Sequence, residues 1–349
     1  MGYQKRKEYY QACEKKRQRP LITYVTSIRP NMPSQMSSDV ISTIIEQLNR
    51  VPKDKDEIDF LIISNGGDPI AALRIITMLR ERFKHISVIV PYVAFSAATI
   101  LALGADEIVM HPYSNLGPID PQMSIVKPGE PSNVPPLQFS SEDIRNYIEF
   151  VRSDVGITDQ VQLTTAFNSL VSEIGSIRIG SAKRVQQLSL SLSKKMLETH
   201  MEDKEKAAGI SQALNSSFYH HGYAVGRKEA KDIGLNVVSP DKELENLMWS
   251  IWLDFSSEMK CEEPFDPVSE ILNDNTAKQA LSVVPIPQMR GAAPPAPPRP
   301  LELIRPMACV ESREKSYVFN NYLNIVYWRD PSLALSYNMN IYSKGWEGR

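Results

Sequence analysis

The stretch from Asp59 to Pro121 constrains this chain more than any other. It reads as strand, tight Gly-Gly turn, helix, strand, exposed serine, helix, strand. The first of these strands, Ile58 to Ser64 (IDFLIIS), runs into Asn65-Gly66-Gly67-Asp68-Pro69. The next, Ile86 to Pro91 (ISVIVP), is followed by Ser96 within Ala94-Phe95-Ser96-Ala97-Ala98. A Gly-Gly turn at the end of a buried strand is free to turn backbone N–H groups toward a developing oxyanion. A serine at the start of the following helix can face the same place. These are two of the three parts of a serine hydrolase; the third, a base, has no equally clear signature.

The periodicity around this block predicts an α/β fold. Leu21 to Ser27 (LITYVTS) is rich in β-branched and aromatic residues and reads as a first strand. Ser37-Ser38-Asp39 opens a helix whose apolar positions Val40, Ile41, Ile44, Ile45 and Leu48 repeat at helical spacing, and Val51-Pro52 ends it. A second helix starts at Pro69, a favoured first-turn residue, with Ile70, Leu73, Ile76, Met78 and Leu79 on its apolar side. Ile86 to Val90 and Glu107 to Met110 are two further strands, with a helix over Thr99 to Leu103 between them. Strands alternating with helices imply right-handed βαβ units and a largely parallel, buried sheet.

Beyond Met110 the pattern changes. Tyr113 to Phe139 is rich in Pro, Gly, Asn and Ser and reads as a loop. Helical patterns fill Ser140 to His200 and Glu202 to Phe218. Gly222 to Val238 reads as a turn, a short helix over Arg227 to Ile233 closed by Gly234, and a final strand. Lys242 to Phe255 is another amphipathic helix. Val283 to Pro306 is dense in proline, which favours extended polyproline II and a semi-rigid linker. The tail from Met307 is rich in tyrosine and tryptophan, too apolar to stay solvated, and is expected to pack on its own core or on a neighbouring subunit. The expected division is a basic N-terminal arm (1–20), an α/β domain (21–260), a Pro-rich linker (261–306) and an aromatic tail (307–349).

Composition excludes several classes. A net charge of −2 over 349 residues argues against a nucleic-acid partner. Three well-separated cysteines, Cys13, Cys261 and Cys309, suit a reducing cytoplasm and have no metal-ligand spacing. The basic segment Tyr3 to Arg19 lacks the apolar core of a secretory signal. It leaves peripheral contact with anionic lipid open, although a solvated helix or an oligomer arm is the commoner use of such a segment. No apolar run reaches the roughly 18 residues of a spanning helix. His220-His221 invites a metal reading, but adjacent residues on a helix point about 100° apart, and no carboxylate partner is evident. No cofactor is expected.

Several of these segments also resemble a known family. NGGDPIAALRI, PYVAFSAATILALGADEIVMHPYSNLGPIDPQ and GYAVGRKEAKDIGLNVV together are similar to the Clp-protease/crotonase superfamily, within it to signal peptide peptidase A-type enzymes, and above all to the serine dehydrogenase proteinase branch. The resemblance covers Leu21 to Ser257. It implies a βαβ spiral, Ser96 as the acylating nucleophile, and Gly66 or Gly67 with the Ala97 amide as the oxyanion hole. Peptidase A-type enzymes use a lysine base and Clp-type enzymes a His-Asp pair. A lysine can serve only if burial lowers its pKa.

The base stays open among His111, Lys183, Lys194 and Lys195, with Lys127 ranking behind them. Lys183, in a small-residue turn before a helix (Ile179-Gly180-Ser181-Ala182-Lys183), is the preferred residue. His111 is the alternative, and a hydrogen-bonded histidine at a strand end is its blander reading. Asp68 follows the glycines and serves either the substrate or, more simply, the cap of the next helix. Asp120 departs from the Gly-Ser-Ile-Gly-type loop of peptidase A proteins. The expected function is a cytoplasmic, cofactor-independent, homo-oligomeric serine peptidase acting on extended or unfolded peptides. The rivals are a catalytically silent oligomeric scaffold and a crotonase-type acyl-CoA enzyme.

Overall fold

The computed structural model describes residues 2–125, 136–216, 222–282, 299–329 and 334–349. In chain order come α1 (Tyr3–Arg17), β1 (Leu21–Thr26), α2 (Ile41–Arg50), β2 (Glu57–Ile63), α3 (Pro69–Arg82), β3 (His85–Val90), β4 (Val93–Ala94), α4 (Ala97–Leu103), β5 (Glu107–Met110), β6 (Asn115–Leu116), β7 (Met123–Ile125) and β8 (Leu137–Phe139). Then follow α5 (Ser141–Glu149), α6 (Gln160–Ile174), α7 (Ser176–Leu197), α8 (Lys204–Ser216), β9 (Val225–Gly226), α9 (Arg227–Ile233), β10 (Val237–Val238), α10 (Lys242–Met259), α11 (Pro267–Asn273) and α12 (Asn275–Ser282). Three long strands close the chain: β11 (Leu301–Glu311), β12 (Ser316–Arg329) and β13 (Leu335–Gly348).

The main sheet has eight strands in the order β10-β5-β3-β2-β1-β11-β12-β13. The five from β10 to β1 are parallel, as expected for βαβ units. Both faces are covered, so these strands are apolar on both sides. Along β2, Ile58, Phe60 and Ile62 point into one core with Val88, Val90 and Ile108, under α2, α3, α4 and α7. Leu61 and Ile63 point to the other face with Leu21, Val25, Ile89 and Val109, against Tyr10 and Cys13 of α1 and Met248, Ile251 and Phe255 of α10. Truncating a buried aromatic such as Phe255, which is fully buried, costs about 3–5 kcal/mol.

The N-terminal segment, expected as an arm, lies on the sheet as helix α1. Its inward side is Tyr3, Arg6, Tyr10 and Cys13, all buried. A buried guanidinium is tolerable only if neutralised. Arg6 makes a bidentate pair with Glu311 of β11, both bonds 2.8 Å, and ion pairs with Asp254 and Glu258 of α10. The aromatic tail is also part of the sheet. β11 runs antiparallel beside β1, with Val25 opposite Cys309, and β12 and β13 extend the sheet outward. The stretch read as linker holds α11 and α12, and its end begins β11; its proline-dense residues 283–298 lie outside the described residues, as do His220 and His221.

The helical span after Ser140 is broken in two places. A π-turn over Phe150–Asp154 ends α5, and Gly175 at φ +94° separates α6 from α7. A small second sheet, β4-β6-β9, has no clear sequence signature because its strands are two residues each.

Candidate active site

The site forms where β2 and β4 meet. Beyond β2 the chain continues alongside β4: the Ser64 amide donates to Val93 O at 3.0 Å, and the Phe95 amide donates to Ser64 O at 2.9 Å. This pairing sets the Gly-Gly turn against the serine. Gly66 takes φ +100° and Gly67 φ +142°, conformations that favour glycine. A Cβ on Gly66 would meet Phe95 O at 2.6 Å, Ser96 Cβ at 2.8 Å and the Ala97 amide at 3.0 Å. Ser96 and the turn are therefore in direct backbone contact.

The turn is held from both sides. Thr26 Oγ1 donates to Ser64 Oγ at 2.8 Å, and Ser64 Oγ accepts the Gly66 amide at 3.0 Å. On the other side the Met36 amide donates to Gly66 O at 2.7 Å, and the Asp68 amide donates to Met36 O at 2.8 Å. Asp68 then caps α3: Oδ1 accepts the Ile70 amide at 2.8 Å, and Oδ2 accepts Ser38 Oγ at 2.9 Å. With the Gly66 amide occupied by Ser64, the amides of Gly67 and Ala97 carry no hydrogen bond among the described residues.

Ser96 has φ +52° and ψ −117°, rare for a residue with a side chain. It occupies the N-cap position of α4, yet its hydroxyl makes no capping bond. A sharp strand-to-helix turn that holds a serine hydroxyl out of local bonding is the geometry of a nucleophile elbow. Around it, Thr99 Oγ1 donates to Ala94 O at 2.7 Å and accepts the Gly117 amide at 3.0 Å, tying the loop after β6 to α4. A Cβ on Gly117 would stand 2.8 Å from the Phe95 ring. That loop is anchored further by the Ile119 amide to Leu214 O, 3.0 Å, and by Ser189 Oγ to Ile119 O, 2.5 Å. Asp120 is buried in it and accepts Gln122 Nε2 at 3.2 Å.

Among the candidate bases, His111, Lys183 and Lys194 have partners other than Ser96. His111 stacks on Trp249 of α10, with centroids 5.0 Å apart, and its Nδ1 accepts the Tyr113 amide at 3.1 Å. Burial lowers its pKa, which the nearby Glu245 opposes. Lys183 is exposed on α7, and its Nζ donates to Gln186 Oε1 at 3.4 Å. It lines a cavity of about 880 Å³ with Glu142, Arg145 and Asn215. Lys194 pairs with Glu198 at 3.8 Å, and Lys195 is exposed. Lys127 lies outside the described residues. Among the described residues, none of these groups hydrogen-bonds Ser96. No described group of His, Cys, Asp and Glu could hold a metal ion, and no described helix is long and apolar enough to cross a membrane.

The sequence reading missed Ser64, Thr26, Met36 and Thr99. Their roles come from backbone and hydroxyl bonds between segments distant in sequence. The one available signal was the small polar residue at the end of each strand, Thr26 and Ser64.

Known proteins are similar to parts of this chain. Residues 32–134 match the family of ClpP-like SDH-type serine proteinases. The uncharacterized protein MJ0137 of Methanocaldococcus jannaschii is 29% identical over 196 residues, covering 56% of this chain and 57% of that protein. The uncharacterized protein MJ1495 of the same organism is 25% identical over 197 residues, 56% of each. The chain thus matches just over half the length of these curated relatives. Two solved variants of 1510-N, a membrane-bound stomatin-specific protease, align with TM-scores of 0.39 and 0.38 at 15% and 16% identity. They cover 70% and 71% of this chain and 88% and 85% of theirs; one is in complex with a substrate peptide. Residues 32–134, which hold both the Gly66-Gly67 turn and Ser96, are thus similar to the ClpP-like SDH-type serine proteinases.

Proposed function

We propose that this chain is a serine peptidase with Ser96 as nucleophile. The observation that carries the reading is the Ser96 hydroxyl, which makes no capping bond and no hydrogen bond among the described residues, on a strained backbone next to the Gly-Gly turn. Ser96 Oγ attacks the scissile carbonyl carbon while a base takes its proton. The oxygen that gains charge accepts from the Gly67 and Ala97 amides; Gly66 contributes space, since its own amide is committed to Ser64. The tetrahedral intermediate then collapses, the leaving amine takes a proton from the base, and water releases the acyl group.

A lysine remains the proposed base, and Lys183 the preferred one. In the described chain it is solvated, so it acts only if substrate or another surface covers α7 and desolvates its amine. The substrate class proposed for the site is an extended peptide, which can add to a strand edge through main-chain hydrogen bonds.

The test is fluorophosphonate labelling read by intact mass, with Ser96→Ala alongside. One adduct on the parent protein and none on the variant supports the reading. A folded parent protein that takes no adduct overturns it and favours the silent scaffold, a reading kept in view because no base among the described residues is bonded to Ser96.

A further inference from the structure

The main sheet ends differently on its two sides. One edge is β10, two residues long, and the other is β13, fourteen residues long. Among the described residues nothing pairs with the outer side of β13. A long exposed edge is a template for another strand, and proteins blunt such edges with charge, proline or bulges. Leu335 to Ser343 (LSYNMNIYS) carries no charge, no proline and no glycine. The irregularity in the ladder comes only after it, between Phe319 and Asn321 on β12 and opposite Lys344-Gly345, where Gly345 takes φ +85°.

The side chains of this edge form two rows. Ile341, Met339 and Tyr337 stand opposite Leu323, Ile325 and Tyr327 of β12. Those three β12 residues are buried over α11 and α12, but Ile341 and Tyr337 are 43% and 41% exposed. The apolar face thus continues outward past the helices that cover it. On the opposite face Tyr342, 49% exposed, stacks on Tyr322.

We infer that the outer edge of β13 is a subunit interface, occupied by β13 of a second copy of this chain in antiparallel register about a twofold axis near Met339. Self-complementarity selects this occupant. With the axis at Met339, Tyr337 faces Ile341 of the other copy and Ile341 faces its Tyr337, so the apolar row is continuous across the junction. Asn338 faces Asn340, and Lys344 faces Ala334, so no charged residue meets its own kind. An unrelated peptide carries no such matched pattern. The chain's own residues 283–298 hold six prolines, which cannot donate to a ladder. Because the β10 edge is so short, pairing at β13 closes after two copies and joins two eight-stranded sheets into one. The inference stands independently of the peptidase reading.

The experiment is light scattering on the parent protein and on Ile341→Lys, combined with oxidative crosslinking of Met339→Cys. The native cysteines, Cys13, Cys261 and Cys309, are buried and do not compete. The expected parent mass is twice that of one 39.3 kDa chain, or an even multiple of it. Ile341→Lys lowers the mass twofold with an unchanged melting temperature of the protomer core. Met339→Cys gives a dimer on a denaturing gel that reduction dissolves, and Glu302→Cys on β11 does not. A monomeric parent protein overturns the inference, as does an assembly that neither variant affects. Backbone amides of 335–343 that gain exchange protection only when a synthetic extended peptide is added would overturn it in favour of a client strand.

Discussion

The Cα of Gly66 faces Ser96 so closely that a single added methyl would lie 2.8 Å from the serine Cβ and 2.6 Å from the preceding carbonyl. The turn and the elbow are thus mutually exclusive with any side chain at position 66. Gly66→Ala has to displace backbone at a site that also requires φ +100°, and strain of that kind costs about 1–3 kcal/mol before the clash is counted. The expected result is loss of fluorophosphonate labelling together with a lower melting temperature. Gly67→Ala meets Met36 O at 2.3 Å and is expected to do the same.

Ser96 gives the opposite signature. Its φ of +52° carries strain of about 1–3 kcal/mol, and glycine's extra unfolded-state entropy is about 0.5–1 kcal/mol. The first term exceeds the second, and the hydroxyl makes no capping bond to lose. Ser96→Gly is therefore expected to stabilise the protein by about 1 kcal/mol while abolishing labelling. A calorimetric scan showing that Ser96→Gly melts below the parent protein would remove the argument that strain is stored at this residue.

The βαβ frame was legible in the sequence because its strands are buried on both faces and their apolar runs are uninterrupted. The turn and the elbow were legible because glycine and small residues are required there. What was not legible is instructive. Arg6 sits in a basic, polar segment, and its burial is made tolerable by carboxylates far along the chain, Asp254, Glu258 and Glu311. Likewise β11 to β13 are long strands, but their place beside β1 is set by register, not by local pattern. The free Gly67 amide could not be told from the occupied Gly66 amide, because the difference is the hydroxyl of Ser64.

The base is the part of the site to settle by mutation. His111 is expected to be structural: it is stacked on Trp249 and spends Nδ1 on the Tyr113 amide. His111→Gln should keep labelling within a few-fold and lower the melting temperature. Lys183→Ala should slow acylation by about 100-fold or more, the usual scale for a lost general base. Labelling at the parent rate in Lys183→Ala would move the base elsewhere, and Lys127→Ala is the variant to compare with it.

The buried charge cluster sets a pH dependence. Burial alone would raise the Glu311 pKa, but hydrogen bonds and charge from Arg6, with help from Tyr10 and Arg349, outweigh it and hold the carboxyl below its ordinary value. Glu107 behaves alike: burial pushes it up, while Ser87, Arg17 and Arg19 bring it down to about 2. A depressed carboxylate stabilises the fold above its unfolded pKa and loses that contribution as pH falls through the folded one. Acid unfolding is therefore expected to steepen below about pH 4.5, the ordinary value of Glu107, and to run toward pH 2. Replacing Arg6 by methionine leaves Asp254 and Glu311 with fewer partners in a dry site, where breaking one side of a buried pair costs about 3–5 kcal/mol. Arg349 still contacts Glu311 at 3.0 Å, so the lower end of that range is expected. Urea titrations at pH 7 and pH 4 check both statements: Arg6→Met should lose more stability at pH 7 than at pH 4, because protonating Glu311 removes the charge it strands.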